Sequence, residues 1–215
     1  NLDESFREIL AIHQYAPGVS KLMGELLAAS VLLSTTLKFE GKLILQIRSE
    51  GQLPLLMVEC SSKRVIRAIA RGAEHATSDN FDLLLTNGQL AITIDPDRGE
   101  RYQGIVPLAG SIAESLDAYF AQSEQLQTRL WLAADGERTA GLLLQQLPLQ
   151  LVPDLSEREE QWNHACTLAN TVKDKELLQL NAEQILHRLY HEDSLRIFAA
   201  EQVTFGCSCS RTRTY

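Results

Sequence analysis

Cysteine, aromatic residues, positive charge and long apolar runs are all sparse in this sequence, and each shortage removes a class of protein. Four cysteines in 215 residues are too few for a disulfide scaffold, and Cys60 and Cys166 stand far from each other and from the terminal pair Cys207 and Cys209. Such usage fits a reducing, cytoplasmic compartment, where a close thiol pair reads as a metal or redox site. No apolar run approaches the ~20 residues of a membrane span. Residues 1–14 are too acidic and amphipathic for a signal peptide. Lys and Arg number 20 against 28 acidic residues, a formal net charge of −8, and the basic residues are scattered, which argues against a nucleic-acid partner. There is no G-x-S-x-G, no P-loop and no dinucleotide fingerprint. The acid pairs Asp95/Asp97 and Glu159/Glu160 fall in an expected turn and at an expected helix start, where carboxylates serve solvation and capping. Nothing marks an enzyme. The first residue is Asn and the last run is polar, so the chain reads as truncated at both ends.

What is present is an ordinary globular composition, 45% hydrophobic and 22% charged, enough for one or two domains with a buried core. Leu2, Phe6, Ile9 and Leu10 recur at helical spacing, and "YAPGVS" is expected to break that helix at Pro17 and Gly18. From Ser20 to Leu37 the apolar residues cover most of a helix circumference, which predicts a central core helix. Short β-rich runs follow: "KLILQIR", "LPLLMVEC", "RVIRAIAR", "QLAITID" and "RYQGIVPL", the last two joined as a hairpin through "DPDRGE". Ser111 with Glu114 predicts a capped helix with the stripe Ile112, Leu116, Tyr119 and Phe120. "TRLWLA" and "TAGLLLQQLP" predict a further hairpin about Asp135 and Gly136. Strands and helices mix without regular alternation, so the predicted class is α+β, a mixed β-sheet core with packed helices.

Beyond a proline-bearing loop at Pro148 to Pro153 the pattern turns helical. Ser156 with Glu159 predicts one capping box, opening a helix with Trp162, Cys166 and Ala169 on one stripe; Asn181 with Gln184 predicts another, carrying Ile185, Leu186, Leu189 and Tyr190. An extended stretch, "LRIFAAEQVTF", then leads to "FGCSCSRTRTY". Two thiols in a C-x-C arrangement can chelate a soft metal or close a strained disulfide, but a structural zinc site needs four ligands. Arg211 and Arg213 would favour the thiolate, which is both the ligand and the reactive form.

The runs "LLAASVLLSTTLKFEGKLILQI", "GERYQGIV", "SEQLQTRL", "AGLLLQQLP", "RLYHED" and "FGCSCSR", taken in this order, resemble the heat shock protein 33 family of bacterial redox-regulated chaperones over almost the whole chain. Gln127 stands where the family often has proline, a change of a surface turn. The resemblance implies a core domain over 1–150, a helical linker over 151–203 and, over 204–215, the beginning of a zinc-binding redox-switch domain. It implies an ATP-independent holdase whose C-x-C and a downstream C-x-x-C hold one zinc when reduced and become disulfides, with loss of the metal, when oxidised. Cys207 and Cys209 are the positions that carry over as metal ligands and redox-active residues; no C-x-x-C is present in these 215 residues. Zinc is therefore expected in the full-length reduced protein, with weak or no binding by this segment. Unfolding or damaged proteins are the implied clients, and a homodimer, with or without exchanged segments, is the implied assembly.

Other residues carry readings of their own. His187 and His191 are spaced to chelate a metal, but "HRLYH" lacks the Glu of a zinc-hydrolase motif and reads as a solvated helix face. Cys60 and Cys166 read as core thiols, and Trp131 and Trp162 as core aromatics before client contacts. Leu177, Leu178, Leu186 and Leu189 are candidates for client contact or for ordinary helix packing. Two further classes stay open from sequence: a thiol-disulfide oxidoreductase using the C-x-C pair, and a zinc-ribbon nucleic-acid module, disfavoured by the acidic balance.

Overall fold

A computed structural model describes residues 2–36, 40–123, 126–148 and 154–206. Helix α1, Asp3–Leu10, buries Phe6 and Ile9, while α2, Pro17–Thr36, buries residues around most of its circumference. Pro17 starts α2 instead of breaking the chain ahead of it. Proline suits the first helical position, because its missing N–H is one that no helix would satisfy there. Contrary to the expectation that no apolar run reaches membrane-spanning length, α2 is long and apolar enough to cross a bilayer. That apolarity has another use, since 72% of its most apolar window is buried inside the protein.

Strands β1, Gly41–Arg48, β2, Leu55–Ser61, β3, Val65–Arg71, β4, Gln89–Pro96, β5, Tyr102–Pro107, and the short terminal β8, Thr204–Phe205, form one sheet in the order β5-β4-β1-β2-β3-β8. All neighbours pair antiparallel except β3 and β8, which run parallel. Strand β1 shows why register is unambiguous. Leu43, Leu45 and Ile47 are buried toward α2, and a one-residue slip would send all of them to solvent. On the other face Glu59 sits between Lys42, at 3.2 Å, and Arg67. The predicted hairpin between β4 and β5 is present.

A single-turn helix, α3, Phe81–Leu84, precedes β4, its first turn capped by the Asn80 side chain, which accepts from the Leu83 N–H at 3.0 Å. Helix α4, Ile112–Ser123, starts where expected, with the Ser111 hydroxyl accepting from the Glu114 N–H at 3.1 Å. Strands β6, Thr128–Ala134, and β7, Thr139–Gln145, make the second hairpin. Its turn is held by Asp135, whose carboxylate accepts from the N–H groups of Glu137 and Arg138 at 3.0 and 2.8 Å, and Gly136 supplies the left-handed backbone at φ 86°.

The layers follow from these faces. Helix α2 lies between the six-stranded sheet and the β6–β7 hairpin. The hairpin alternates: Leu130 and Leu143 turn inward to the main core, and Trp131, Ala133 and Leu142 turn outward. Against that outer face pack three more helices, α5, Leu155–Ala169, α6, Asp174–Gln179, and α7, Ala182–Tyr190. The α+β class predicted from sequence is thus the observed one, with seven α-helices and eight strands among the described residues.

Candidate functional site

The helices at residues 155–190 form a unit whose local structure is strongly specified. Helix α5 is opened by Asp154, whose carboxylate accepts from the N–H groups of Ser156 and Glu157 at 2.9 and 3.1 Å. The expected capping box at Ser156 and Glu159 is therefore displaced: Ser156 is already helical, and the anionic Asp154 takes the cap position at the positive end of the helix. The box at Asn181 and Gln184 is as predicted, each side chain accepting from the other's backbone, at 2.8 and 3.0 Å. Helix α6 was not foreseen. Glu176 stabilises its start by accepting from the Lys173 N–H at 2.9 Å, and the same carboxylate group pairs with Arg188 of α7 at 2.7 Å.

By contrast, the seat of this unit on the rest of the protein is small. Leu177, Ile185, Leu189 and Tyr190 are buried against Ala133, with Trp131, Ala140, Leu142, Leu178 and Leu186 half-buried around them. The four leucines named from sequence thus all belong to, or pack against, the apolar cluster that the helical unit shares with the outer face of the hairpin. Trp131 spans it, its indole N–H donating to Asn170 at 3.2 Å. A crevice of ≈ 410 Å³ remains between α2, the hairpin and α6–α7, lined by residues such as Ala28, Leu32, Leu142 and Ile185.

Two polar groups at this joint oppose tight docking. Glu25 of α2 has its carboxyl pushed up to about 7, first by burial and further by the negative charge of Asp174 on α6, with Lys21, 3.8 Å away, pulling the other way. Arg158 of α5 is buried; its Nε and Nη2 donate to Gln146 at 3.1 and 3.0 Å, while Nη1 is buried without a partner. An unsatisfied buried donor costs about 1–3 kcal/mol. A small apolar seat with such internal costs describes an element of low local stability.

The cysteines separate into two kinds. Cys60 is fully buried on β2, 3.3 Å from the Ser34 hydroxyl, and Cys166 is buried on α5. Burial pushes both thiols up, offset only in part by the hydrogen-bonded Ser34 hydroxyl and the nearby Arg64 at Cys60 and by Arg129 at Cys166. Both are free thiols without the low pKa of a reactive site. Cys207, Cys209, Arg211 and Arg213 lie outside the described residues. The described chain ends at Gly206, on the edge of β3, with the Gly206 N–H donating to the Ile66 carbonyl at 3.1 Å. As donors, two thiols one residue apart suit a soft ion such as zinc and supply half of a tetrahedral thiolate set. His187 and His191 are exposed, with their rings stacked at 5.8 Å, and among the described residues no group of three His, Cys, Asp or Glu could hold a metal.

A family model described as "Hsp33 protein" matches residues 1–215. The chain belongs to the Hsp33 family. Relatives of this Hsp33 chain include the 33 kDa chaperonins of Pseudomonas syringae pv. syringae (strain B728a), 54% identical over 216 residues, covering 99% of this chain and 72% of that protein, and of Ectopseudomonas mendocina (strain ymp), 55% identical over 216 residues, covering 99% and 73%. The fold is also that of a solved structure, the 33 kDa chaperonin (heat shock protein 33 homolog) of Thermotoga maritima, with a TM-score of 0.79 at 20% identity, covering 99% of this chain and 74% of that one. The relatives are named as chaperonins, which agrees with a reading in which no residue is catalytic. Sequence reasoning missed Asp154, Arg158 and Glu25 as determinants of this Hsp33 joint. The first could have been read as an N-cap candidate; the other two are set by what packs over them.

Proposed function

We propose that the protein is a redox-regulated, ATP-independent holdase that binds unfolding proteins and keeps them from aggregating under oxidative and heat stress. Family membership supports the chaperone class, and one structural observation supports the manner of control: the helical unit 155–190 is well capped within itself but rests on the core through a small apolar seat. In the reduced protein Cys207 and Cys209, with two further ligands from the full-length chain, would hold zinc. Binding free energy in such small metal sites is folding free energy, roughly 10 kcal/mol or more in peptide models. Peroxide takes two electrons from each thiol pair, one S–S bond forms, and the peroxide leaves as water. The ion is lost with its thiolates, the adjoining helices loosen, and Leu177, Leu178, Leu186 and Leu189 are uncovered together with the outer face of the hairpin. Apolar surface of this kind recognises any partly unfolded chain without a cleft. A cytoplasmic homodimer completes the reading.

The test uses the full-length protein. Zinc content and free thiols are counted before and after peroxide, while light scattering follows a heat-denatured client. Zinc release in step with suppression of scattering is expected. Client protection by the wild-type protein that needs no oxidant, or a peroxide dependence of protection that Cys207→Ser with Cys209→Ser leaves unchanged, rules the reading out.

A further inference from the structure

Residues 201–206 lie on the protein much as a bound peptide would. Thr204 N–H donates to the Arg64 carbonyl at 3.0 Å and Gly206 N–H to the Ile66 carbonyl at 3.1 Å, so the segment is added as a parallel strand to the edge of β3. Val203 and Phe205, at alternate positions, pack against the main core cluster, whereas Gln202 and Thr204 face solvent. Glu201 pairs with Arg64 at 2.8 Å, and the Ser5 hydroxyl of α1 donates to the Val203 carbonyl at 3.2 Å. Strand addition works in this way: main-chain bonds give affinity to any sequence, and alternate side chains enter an apolar seat.

The attachment is slight. The strand is two residues long, and the residues before it, 191–200, are all exposed, including Phe198 at 72%. Further along the same edge the Tyr15 hydroxyl lies against the Ala70 backbone. The stretch from Arg64 to Ile66 is therefore closed by residues 201–206, and the next residue in the chain is Cys207. Whatever holds or releases that cysteine acts on the strand through one intervening glycine.

We infer that the β3 edge beside Ser5 is a client-binding groove, covered in this conformation by residues 201–206, and that an extended segment of an unfolding protein with apolar residues at alternate positions takes their place. This rests on the chaperone reading above. The occupant follows from the one now seated: an apolar-alternating strand bound by its main chain, a form that any unfolded polypeptide can offer.

The experiment uses the full-length protein with Thr204→Pro, which removes the N–H bonded to Arg64 at a solvent-facing position, and Thr204→Ala, which keeps it. Reduced, carboxymethylated α-lactalbumin, a permanently unfolded chain, is the client. In reduced T204P the Ile66 amide, which the register turns to the edge, should exchange at least tenfold faster than in wild type. Adding the client should restore its protection, and T204A should behave as wild type. A hexapeptide EQVTFG should compete with the client for oxidised wild-type protein, and EQVPFG should not; this arm decides if T204P fails to fold. Client bound with Ile66 exchange unaltered overturns this inference and leaves the holdase reading standing. Ile66 protection that rises with protein concentration in the absence of client identifies a second copy as the occupant and also overturns it. No client binding by oxidised wild type removes the holdase reading itself and this inference with it.

Discussion

The phenolic hydroxyl of Tyr190, in the last turn of α7, donates to the main-chain carbonyl of Ala165 in α5 at 3.0 Å. The bond ties the two long helices of the docked unit together, and burial pushes the phenol up to about 12, so it stays protonated at any working pH. Tyr190→Phe removes the donor and keeps the ring. A loss of about 1 kcal/mol is expected, read as a lower urea midpoint, and the variant should suppress client aggregation at a lower peroxide dose than wild type. An unchanged midpoint would show that the clasp contributes nothing.

Leu177 is the central apolar contact of α6, 7% exposed against the hairpin. Leu177→Ala deletes buried volume at a site that can collapse only in part, a cost of about 2–5 kcal/mol. Because the seat is small, the loss should fall on docking more than on the main core. Limited proteolysis should cut the loops at residues 170–173 and 180–181 first, and the reduced protein should gain client binding. Resistance equal to wild type would mean that the unit is held elsewhere.

Gly24 tests the packing beneath α2. A Cβ there would stand 2.6 Å from the Cβ of Ala134 and 2.9 Å from Cζ of Phe6. Alanine improves helix propensity by about 1 kcal/mol, and overpacking costs about 1–3 kcal/mol, so Gly24→Ala should lower the melting temperature. The Gly24 carbonyl also accepts from the Thr139 hydroxyl at 2.6 Å, so any outward shift of α2 strains the hairpin as well. A higher melting temperature would refute the close approach.

The strands of the sheet could be read because burial on one face imposes alternation, as Leu43, Leu45 and Ile47 show. The helix starts at Ser111 and Asn181 were readable because capping is local chemistry. Pro17 misled, since the same residue both ends helices and begins them. Helix α6, and the pairing of β8 within the stretch expected to be extended, escaped notice for a different reason: six and two residues are too few to show a period, and their packing is decided by partners far along the chain. The cysteine pair stood out from residue type alone. Its mechanical context did not, because Ala133 and Ala140 form part of a docking face only after the hairpin has folded.

Glu25 gives that docking a pH dependence whose sign can be worked out. Its carboxyl keeps a proton up to about 7 in the folded protein, chiefly through burial and secondarily through Asp174. In the unfolded chain the same group ionises in the ordinary glutamate range, near 4.3. Between these values the folded state binds more protons, so stability falls as pH rises, and the loss is complete above about 7. Each tenfold change in proton affinity is worth roughly 1.4 kcal/mol, which limits the whole effect to no more than about 4 kcal/mol, the opposing pull of Lys21 included. Glu25→Gln fixes the neutral form. The variant should match wild type near pH 3, below the unfolded-chain value, and exceed it by about 1–3 kcal/mol at pH 8, measured as urea midpoints across the series. The difference should shrink in Asp174→Asn, which removes the opposing charge from α6. Parallel pH profiles for wild type and Glu25→Gln would show that Glu25 is ionised in the folded protein and that the joint does not sense protons through it.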